Sequence, residues 1–286
     1  MHHIFGNTAK LRPEIRGHAA SLGWDILDDG NLLSTLPDLQ SLNRTVREFD
    51  GTHLTTAPFT TGLYDNSSYN DSQRADWMGS TMLPQLEWYP VTAGENASQY
   101  SYGAYAKLRI QANSRGRTLA AIVQTFGIRT TSWRFPSGDE VDFMSHAALL
   151  AGVKGMFFYT FNDYDANSTI DISQPDIWAS VVRVSSEIQT LKPFLLDGGC
   201  STEGPGVGAK DDTALAISVW TLGKEKLLAV SNPNKEEKEV LIYQPGPYVG
   251  APQKVFSYRP ALSFDGTYFS GQIAGRATTY YRMQIP

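Results

Sequence analysis

Short apolar segments alternate with segments of helical spacing from about residue 22 to residue 195, and this alternation constrains the fold more than any other feature. Apolar segments of this length are typical of parallel strands, which are buried on both faces. Strands that alternate with helices predict a parallel sheet built from βα units. The five predicted strands are residues 22–28, 52–59, 75–83, 119–126 and 154–161.

The predicted helices support the same architecture. Leu39, Leu42 and Val46 lie on one stripe of the first helix, and Ser137 and Glu140 have capping-box spacing at the start of the third. Five strands are fewer than the eight of a closed (β/α)8 barrel, so the sequence predicts a partial TIM-type barrel. The four predicted helices are residues 37–50, 99–116, 136–155 and 173–194.

The composition and the hydrophobic pattern of the sequence change near residue 197. Residues 1–197 are predicted to form the partial barrel, and residues 198–209 a glycine-rich linker. Residues 210–286 contain short segments of period-two alternation separated by turn residues, which predicts a small antiparallel β-sandwich.

Composition excludes several classes of partner and cofactor. The net charge is -5 and no run of Lys and Arg occurs, so we expect no nucleic acid partner. No segment approaches ~20 apolar residues, so we expect no membrane span. His18, His53 and His146 lack the spacing of metal ligands, and no glycine-rich phosphate loop follows a strand. We therefore predict no metal and no cofactor.

Asparagine usage indicates a secreted glycoprotein. Nearly half of the 11 asparagines begin an Asn-X-Ser/Thr acceptor sequence. The first residues lack the apolar core of a signal peptide, so extracellular localisation requires a signal peptide in a longer protein. The single cysteine, Cys200, does not indicate an oxidising compartment. The five acceptor asparagines are Asn43, Asn66, Asn70, Asn96 and Asn167.

Four segments in order resemble the C-terminal part of (β/α)8 glycoside hydrolases of the β-galactosidase-like type. "GWDILDDG" is similar to the fourth barrel strand and its acidic end, and "ADWMGSTMLPQLEWYPV" to the sixth strand. The segment from "VQTFG" to "GMFFYTF" is similar to strand seven, helix seven and strand eight, and "LLAVSNPNKEEKEVLI" to the start of a closing β-sandwich. The resemblance implies a glycosidase that acts on the O-glycosidic bonds of a carbohydrate.

The resemblance also implies a site at the carboxyl ends of the strands. Asp28 and Asp29 follow the fourth strand, where the family carries its acid/base carboxylate, and Asp29 takes that position. "DDGN" is also a favourable turn sequence, so a purely structural reading stays open. The residues predicted to contact the sugar are Gln124, Glu87, Tyr89, Trp88, Trp133, Tyr159 and Asp163.

Two departures leave alternatives open. Gln124 stands where the family has its second carboxylate, and an amide cannot act as a nucleophile or base. The alternative is therefore a carbohydrate-binding or scaffolding protein without catalysis, or an inactive fragment of a longer glycosidase. The family's first three strands are missing, which predicts either a truncated product or a partner chain that completes the barrel. Glu140 is predicted to act in helix capping rather than in catalysis.

Overall fold

The computed structural model describes residues 2–3, 11, 13–93, 101–128, 130–163, 166–201, 215–244 and 246–286. The chain divides into two compact units. The first contains residues 1–89, 104–123 and 153–157, and the second contains residues 90–103, 124–152 and 158–286.

A six-stranded sheet begins the fold, with its strands in the order β1-β2-β3-β4-β5-β6. Neighbouring strands from β1 to β5 pair in parallel. This arrangement confirms the predicted partial barrel. The strands are β1 (His2–His3), β2 (Gly23–Asp25), β3 (Leu54–Phe59), β4 (Leu83–Trp88), β5 (Ala120–Gln124) and β6 (Gly155–Tyr159).

Helices connect these strands, and all four predicted helices are present. Thr35 caps the start of α2 by accepting from the backbone N–H of Asp38, while Leu39 and Val46 are buried. Ser137 and Glu140 form the predicted capping box at the start of α6. The helices are α1 (Gly30–Leu33), α2 (Leu36–Phe49), α3 (Gly62–Asp65), α4 (Asp71–Met78), α5 (Ser101–Ser114), α6 (Gly138–Leu150), α7 (Ile170–Ser173) and α8 (Pro175–Asp197).

The prediction of a strand at residues 75–83 is wrong. Asn70 and Gln73 form a reciprocal capping box that starts α4, and the helix continues through Met78. The strand of this region, β4, begins only at Leu83. A short apolar run does not separate a buried strand from a buried helix by periodicity, and here the capping residues decide between them.

The C-terminal part of the chain contains two antiparallel sheets, in the orders β13-β16-β11-β10-β9 and β12-β15-β14. Val219, Leu228 and Tyr281 of one sheet pack in one core with Ile242 and Phe269 of the other. This two-layer core confirms the predicted all-β domain. The strands are β9 (Gly199–Ser201), β10 (Ala216–Leu222), β11 (Glu225–Ser231), β12 (Lys238–Tyr243), β13 (Gln253–Lys254), β14 (Ser263–Phe264), β15 (Tyr268–Ile273) and β16 (Thr278–Gln284), and a separate hairpin joins β7 (Asn162–Asp163) to β8 (Ser168–Thr169).

The predicted linker begins with ordered structure. Gly199–Ser201 form β9, which pairs antiparallel with β10, so the first residues of the linker are part of the sheet. Residues 202–214 lie outside the described part of the chain, and the boundaries at 197 and 210 stay predictions. Among the described helices, none has both the length and the apolar character needed to cross a bilayer.

Candidate active site

The loop that carries Asp28 and Asp29 is held close against β3. The Ile26 N–H donates to the carbonyl of Thr56 at 2.9 Å and extends the pairing of β2 by one residue. A Cβ atom added to Gly30 would lie 3.1 Å from the ring of Phe59, so only glycine allows this approach without displacing the ring. The glycine that follows the two aspartates therefore lets the loop lie over the carboxyl end of β3.

A side-chain clamp fixes the same loop. The Nδ2 atom of Asn31 donates to Oγ1 of Thr60 at 3.0 Å, and Oδ1 of Asn31 accepts from the Thr60 N–H at 2.8 Å. Both hydrogen bonds join the start of α1 to the residue that follows β3. Asp29 has a φ of 47°, a left-handed conformation that is uncommon outside glycine and that Asp and Asn adopt most readily. Its carbonyl accepts from the N–H groups of Leu32 and Leu33, at 2.7 and 3.0 Å.

Glu87 meets these aspartates from β4. Parallel pairing places Phe59 beside Leu86, so Glu87 lies one residue beyond, at the carboxyl end of the sheet. Asp28, Asp29 and Glu87 each present a carboxylate oxygen, and these oxygen atoms lie within 4.8 Å of one another. All three side chains are half-buried. The structure thus brings together three carboxyl groups that are separated by up to 59 positions in the sequence.

The surroundings of Glu87 keep it protonated at neutral pH. Burial raises the pKa of Glu87 to about 9, with further contributions from a hydrogen bond to Asp29 and from the charges of Asp29 and Asp28. Tyr89 opposes this shift in pKa because its hydroxyl donates to Oε1 of Glu87 at 3.2 Å. Two carboxyl groups that share a proton in this way divide into an acid and a base.

Asp25 adds a fourth carboxyl group to this region. It is the last residue of β2 and is 4% exposed. The pKa of Asp25 is raised to about 7, chiefly by burial and also by the charge of Asp28. Asp25 is therefore a second acid with a pKa near neutrality beside the cluster of Asp28, Asp29 and Glu87.

Gln124 has a different environment in the second unit. It is 0% exposed, and its Oε1 accepts from the N–H of Val91 at 2.9 Å. Its Nε2 lies 3.1 Å from the carbonyls of Val91 and Phe126 and 3.3 Å from that of Arg134. These contacts use the amide to join three loop segments, so the structure gives Gln124 a bracing role, and its contact with a sugar stays a prediction.

Two of the predicted aromatic residues are exposed on the second unit. Trp133 is 37% exposed and Tyr159 is 44% exposed. Each packs edge-on against the buried ring of Phe126, with ring centroids 5.6 Å apart in both pairs. Thr125 links this group to β6 because its N–H donates to the carbonyl of Tyr159 at 2.7 Å. The arrangement offers two fixed aromatic faces to solvent.

Two other predicted contact residues are buried. Trp88 is 5% exposed and packs edge-on against Tyr64, on the side of β4 opposite to Glu87. Asp163 is also buried, and its Oδ1 accepts from the N–H of Ala166 at 3.0 Å, which closes the loop of the β7–β8 hairpin. The structure therefore places Trp88 in the core and Asp163, also buried, at the end of β7.

Among the described residues, two groups each bring oxygen or nitrogen atoms of three acidic or histidine side chains within 4.8 Å of one another. Asp28, Asp29 and Glu87 are one group, and Asp142, His146 and Glu187 are the other. The second group already holds a cation, because the Arg259 guanidinium lies 2.9 Å from Asp142 and 2.6 Å from Glu187. Glu140 has a similar structural role: it pairs with Arg134 and Arg276 at 2.7 and 2.9 Å while it caps α6.

Sequence comparisons find neither a matching protein-family model nor a matching curated protein. Structure comparison does find relatives of the fold. Amy13B of Eubacterium rectale superposes with a TM-score of 0.57 at 12% identity, over 93% of this chain and 60% of its own length. An α-amylase from Geobacillus thermoleovorans, complexed with acarbose, gives 0.55 at 13% identity, over 92% and 60%.

A third solved structure has a different activity. It is the glycoside hydrolase family 30 subfamily 8 xylanase Xyn30A from Clostridium acetobutylicum, with a TM-score of 0.52 at 7% identity over 93% of this chain and 67% of its own. The chain has a glycosidase-like fold. These identities establish the fold alone, and this chain spans about three-fifths of the length of the first two structures. None of the three supports the β-galactosidase-like type in particular.

Proposed function

We propose that the chain is a glycoside hydrolase that acts on the O-glycosidic bonds of a carbohydrate. The observation that carries this proposal is the cluster of Asp28, Asp29 and Glu87 at the carboxyl end of parallel strands. Glycoside hydrolysis requires one carboxyl group that holds a proton and one that is ionised. Glu87 meets the first requirement, because its pKa is raised to about 9 by burial and by its two acidic neighbours.

In this mechanism Glu87 is the proton donor. It transfers its proton to the glycosidic oxygen as the bond from that oxygen to the anomeric carbon breaks. Asp29 stabilises the positive charge that develops at the anomeric carbon, and its carboxylate forms the bond to that carbon. Glu87, now ionised, then takes a proton from the water that displaces Asp29. The resemblance assigned the acid/base role to Asp29, and the geometry supports giving it to Glu87.

Matched carboxamide variants test this proposal on a panel of aryl glycosides and soluble oligosaccharides. We expect Glu87→Gln and Asp29→Asn to lower kcat/KM by about 100-fold or more, because each removes one of the two reacting carboxyl groups. Glu48→Gln, an exposed position on α2 of the same unit, is the control and should retain full activity. Activity that is unchanged in Glu87→Gln would rule out the proposed acid.

A second candidate is a carbohydrate-binding protein without catalysis. It is supported by the exposed faces of Trp133 and Tyr159 and by the amide of Gln124 at the position where a second carboxylate was expected. Aromatic faces of this kind pack against the apolar face of a pyranose. In the same panel, this candidate predicts saturable binding of oligosaccharides without turnover, and loss of binding in Trp133→Ala.

A further inference from the structure

Glu87 and Asp29 can share a proton only if the loop after β2 keeps its position over β3. Asp29 is 58 positions from Glu87 in the sequence, and nothing in the local sequence of β4 fixes that contact. Glu87 lies on β4, which pairs with β3, and the clamp joins Thr60 at the end of β3 to Asn31, two residues after Asp29. Asn31 is therefore the side chain that couples the two.

We propose that Asn31 is a positioning residue, which holds the carboxyl group of Asp29 against Glu87 and so keeps the reacting proton on Glu87. The inference rests on the proposed function, since it concerns the same pair of carboxyl groups. Asn31 does not touch the reacting atoms. Its side chain is 9% exposed and makes a two-way contact, with one atom donating to Thr60 and another accepting from it.

The hydrogen bonds between Asn31 and Thr60 help to hold the backbone conformation of Asp29. The left-handed conformation of Asp29 is uncommon for a residue with a side chain, and surrounding contacts must hold it. Gly30 supplies the close approach to Phe59 and Pro58, and the Ile26 N–H bond to Thr56 ties the start of the loop to β3. The two hydrogen bonds between Asn31 and Thr60 tie its far end to the residue that follows β3. We therefore expect the loss of these two bonds to let Asp29 move away from Glu87.

Loss of the clamp should change the proton affinity of Glu87 in a known direction. The groups that act on Glu87 are Asp28 and Asp29 from the loop after β2, and Tyr89 from β4. Both aspartates raise its pKa and Tyr89 lowers it. Displacement of the loop moves Asp28 and Asp29, which raise the pKa of Glu87, away from it. It also lets water reach Glu87, which reduces the effect of burial on the pKa. The titration of Glu87 should then move toward that of an ordinary glutamate.

The test is a titration of Glu87 followed by the carboxyl carbon resonance in protein labelled with ¹³C at glutamate Cδ, with Glu87→Gln for assignment. We expect a midpoint at about 9 in the wild type. In Asn31→Ala and Thr60→Val, we expect the midpoint to fall by about one pH unit or more. Thr60→Ser keeps the hydroxyl group and should restore the wild-type midpoint.

Asn43→Ala is the matched control. It removes the acceptor of the 2.6 Å hydrogen bond from Thr55, in the same unit but on α2, and should leave the titration of Glu87 unchanged. If Asn31→Ala does not fold, Thr60→Val carries the test, because its backbone N–H still donates to Asn31. A wild-type midpoint in both folded variants would overturn the proposal. The proposal would also be overturned if Asn43→Ala shifted the midpoint as far as Asn31→Ala does.

The outcome for Asn31 is separable from the outcome for the proposed function. A shifted titration in a protein that hydrolyses no glycoside would support the positioning role and contradict the enzymatic function. A glycosidase whose Glu87 titrates identically with and without Asn31 would support the function and contradict the positioning role. In an active protein, the alkaline limb of kcat/KM should shift together with the resonance.

Discussion

At the scale of single residues, the immediate surroundings of a carboxyl group determine whether it is reactive or structural. Glu87 and Trp88 are neighbours on β4, yet alternation along the strand places Glu87 among carboxyl groups and Trp88 in the core. Glu140 is 1% exposed, but two arginines and a helix N-terminus satisfy it. Glu87, by contrast, has acidic partners in Asp28 and Asp29.

Asp28 should set the proton affinities of two neighbouring acids. Its charge raises the pKa of Glu87 and that of Asp25, so neutralising it in Asp28→Asn should lower both, from about 9 and about 7 respectively. The carboxyl carbon resonances of labelled protein report both values. Glu48→Gln removes one charge from the same unit and should shift neither. An Asp28→Asn protein with unchanged midpoints would show that the charge of Asp28 does not contribute to either pKa.

The sequence predicts Asp28, Asp29 and Glu87 individually but not the residues that hold them together. Strand ends and acidic side chains can be recognised in the amino-acid sequence, so each carboxyl group can be predicted to lie near the carboxyl end of the sheet. Asn31 and Thr60 carry no such signal, because their contact joins residues 29 positions apart and is specified only by the pairing of β2 with β3. Asp25 was missed because it lies within the strand rather than after it.

At the scale of elements, capping residues distinguish helices from strands where the apolar periodicity of the sequence does not. The apolar stripes of α2 and α8 and the capping box of α6 fixed those helices from sequence. The apolar run at 75–83 favours a strand, but the capping box of Asn70 and Gln73 starts a helix that continues through Met78.

An ionic network joins α6 and α8 to the C-terminal sheets, and it makes a prediction about stability. Arg259 donates to Asp142 and Glu187, both buried, at distances of 2.6 to 3.0 Å. Arg259→Met removes the cation that bridges the two buried carboxylates and leaves Asp142 with Arg183 and Glu187 with His146, so we expect the free energy of unfolding to fall by about 3–5 kcal/mol. Urea denaturation measures it. Arg115→Met breaks an exposed pair with Asp76 and should cost less than about 1 kcal/mol.

The same network should make stability depend on pH in one direction. Hydrogen bonds from His146 and Arg259 outweigh the opposing effect of burial and lower the pKa of Glu187 to about 2, against an ordinary value of 4.5. A lowered pKa stabilises the folded chain above pH 4.5, and that stabilisation is lost as the pH falls toward 2. Arg259→Met should flatten this part of the profile. Equal acid sensitivity in Arg259→Met and Arg115→Met would contradict the assignment.

At the scale of the whole molecule, the chain combines a partial barrel with an all-β domain, and fold comparison relates it to glycoside hydrolases of more than one activity. The first unit carries the carboxyl cluster, and the second carries the exposed rings of Trp133 and Tyr159. The alternation of strands and helices was sufficient to predict the class of fold. The sugar is not specified by either the sequence or the fold, because related folds serve different substrates.

The most direct test of the central claim compares two aryl glycosides of the same sugar in wild-type protein and Glu87→Gln. One glycoside has a leaving group that needs protonation, and the other has a strongly acidic phenol that does not. If Glu87 supplies the proton, Glu87→Gln should lose about 100-fold or more in kcat/KM on the first and far less on the second. Equal losses on both substrates, or no loss on either, would contradict the account.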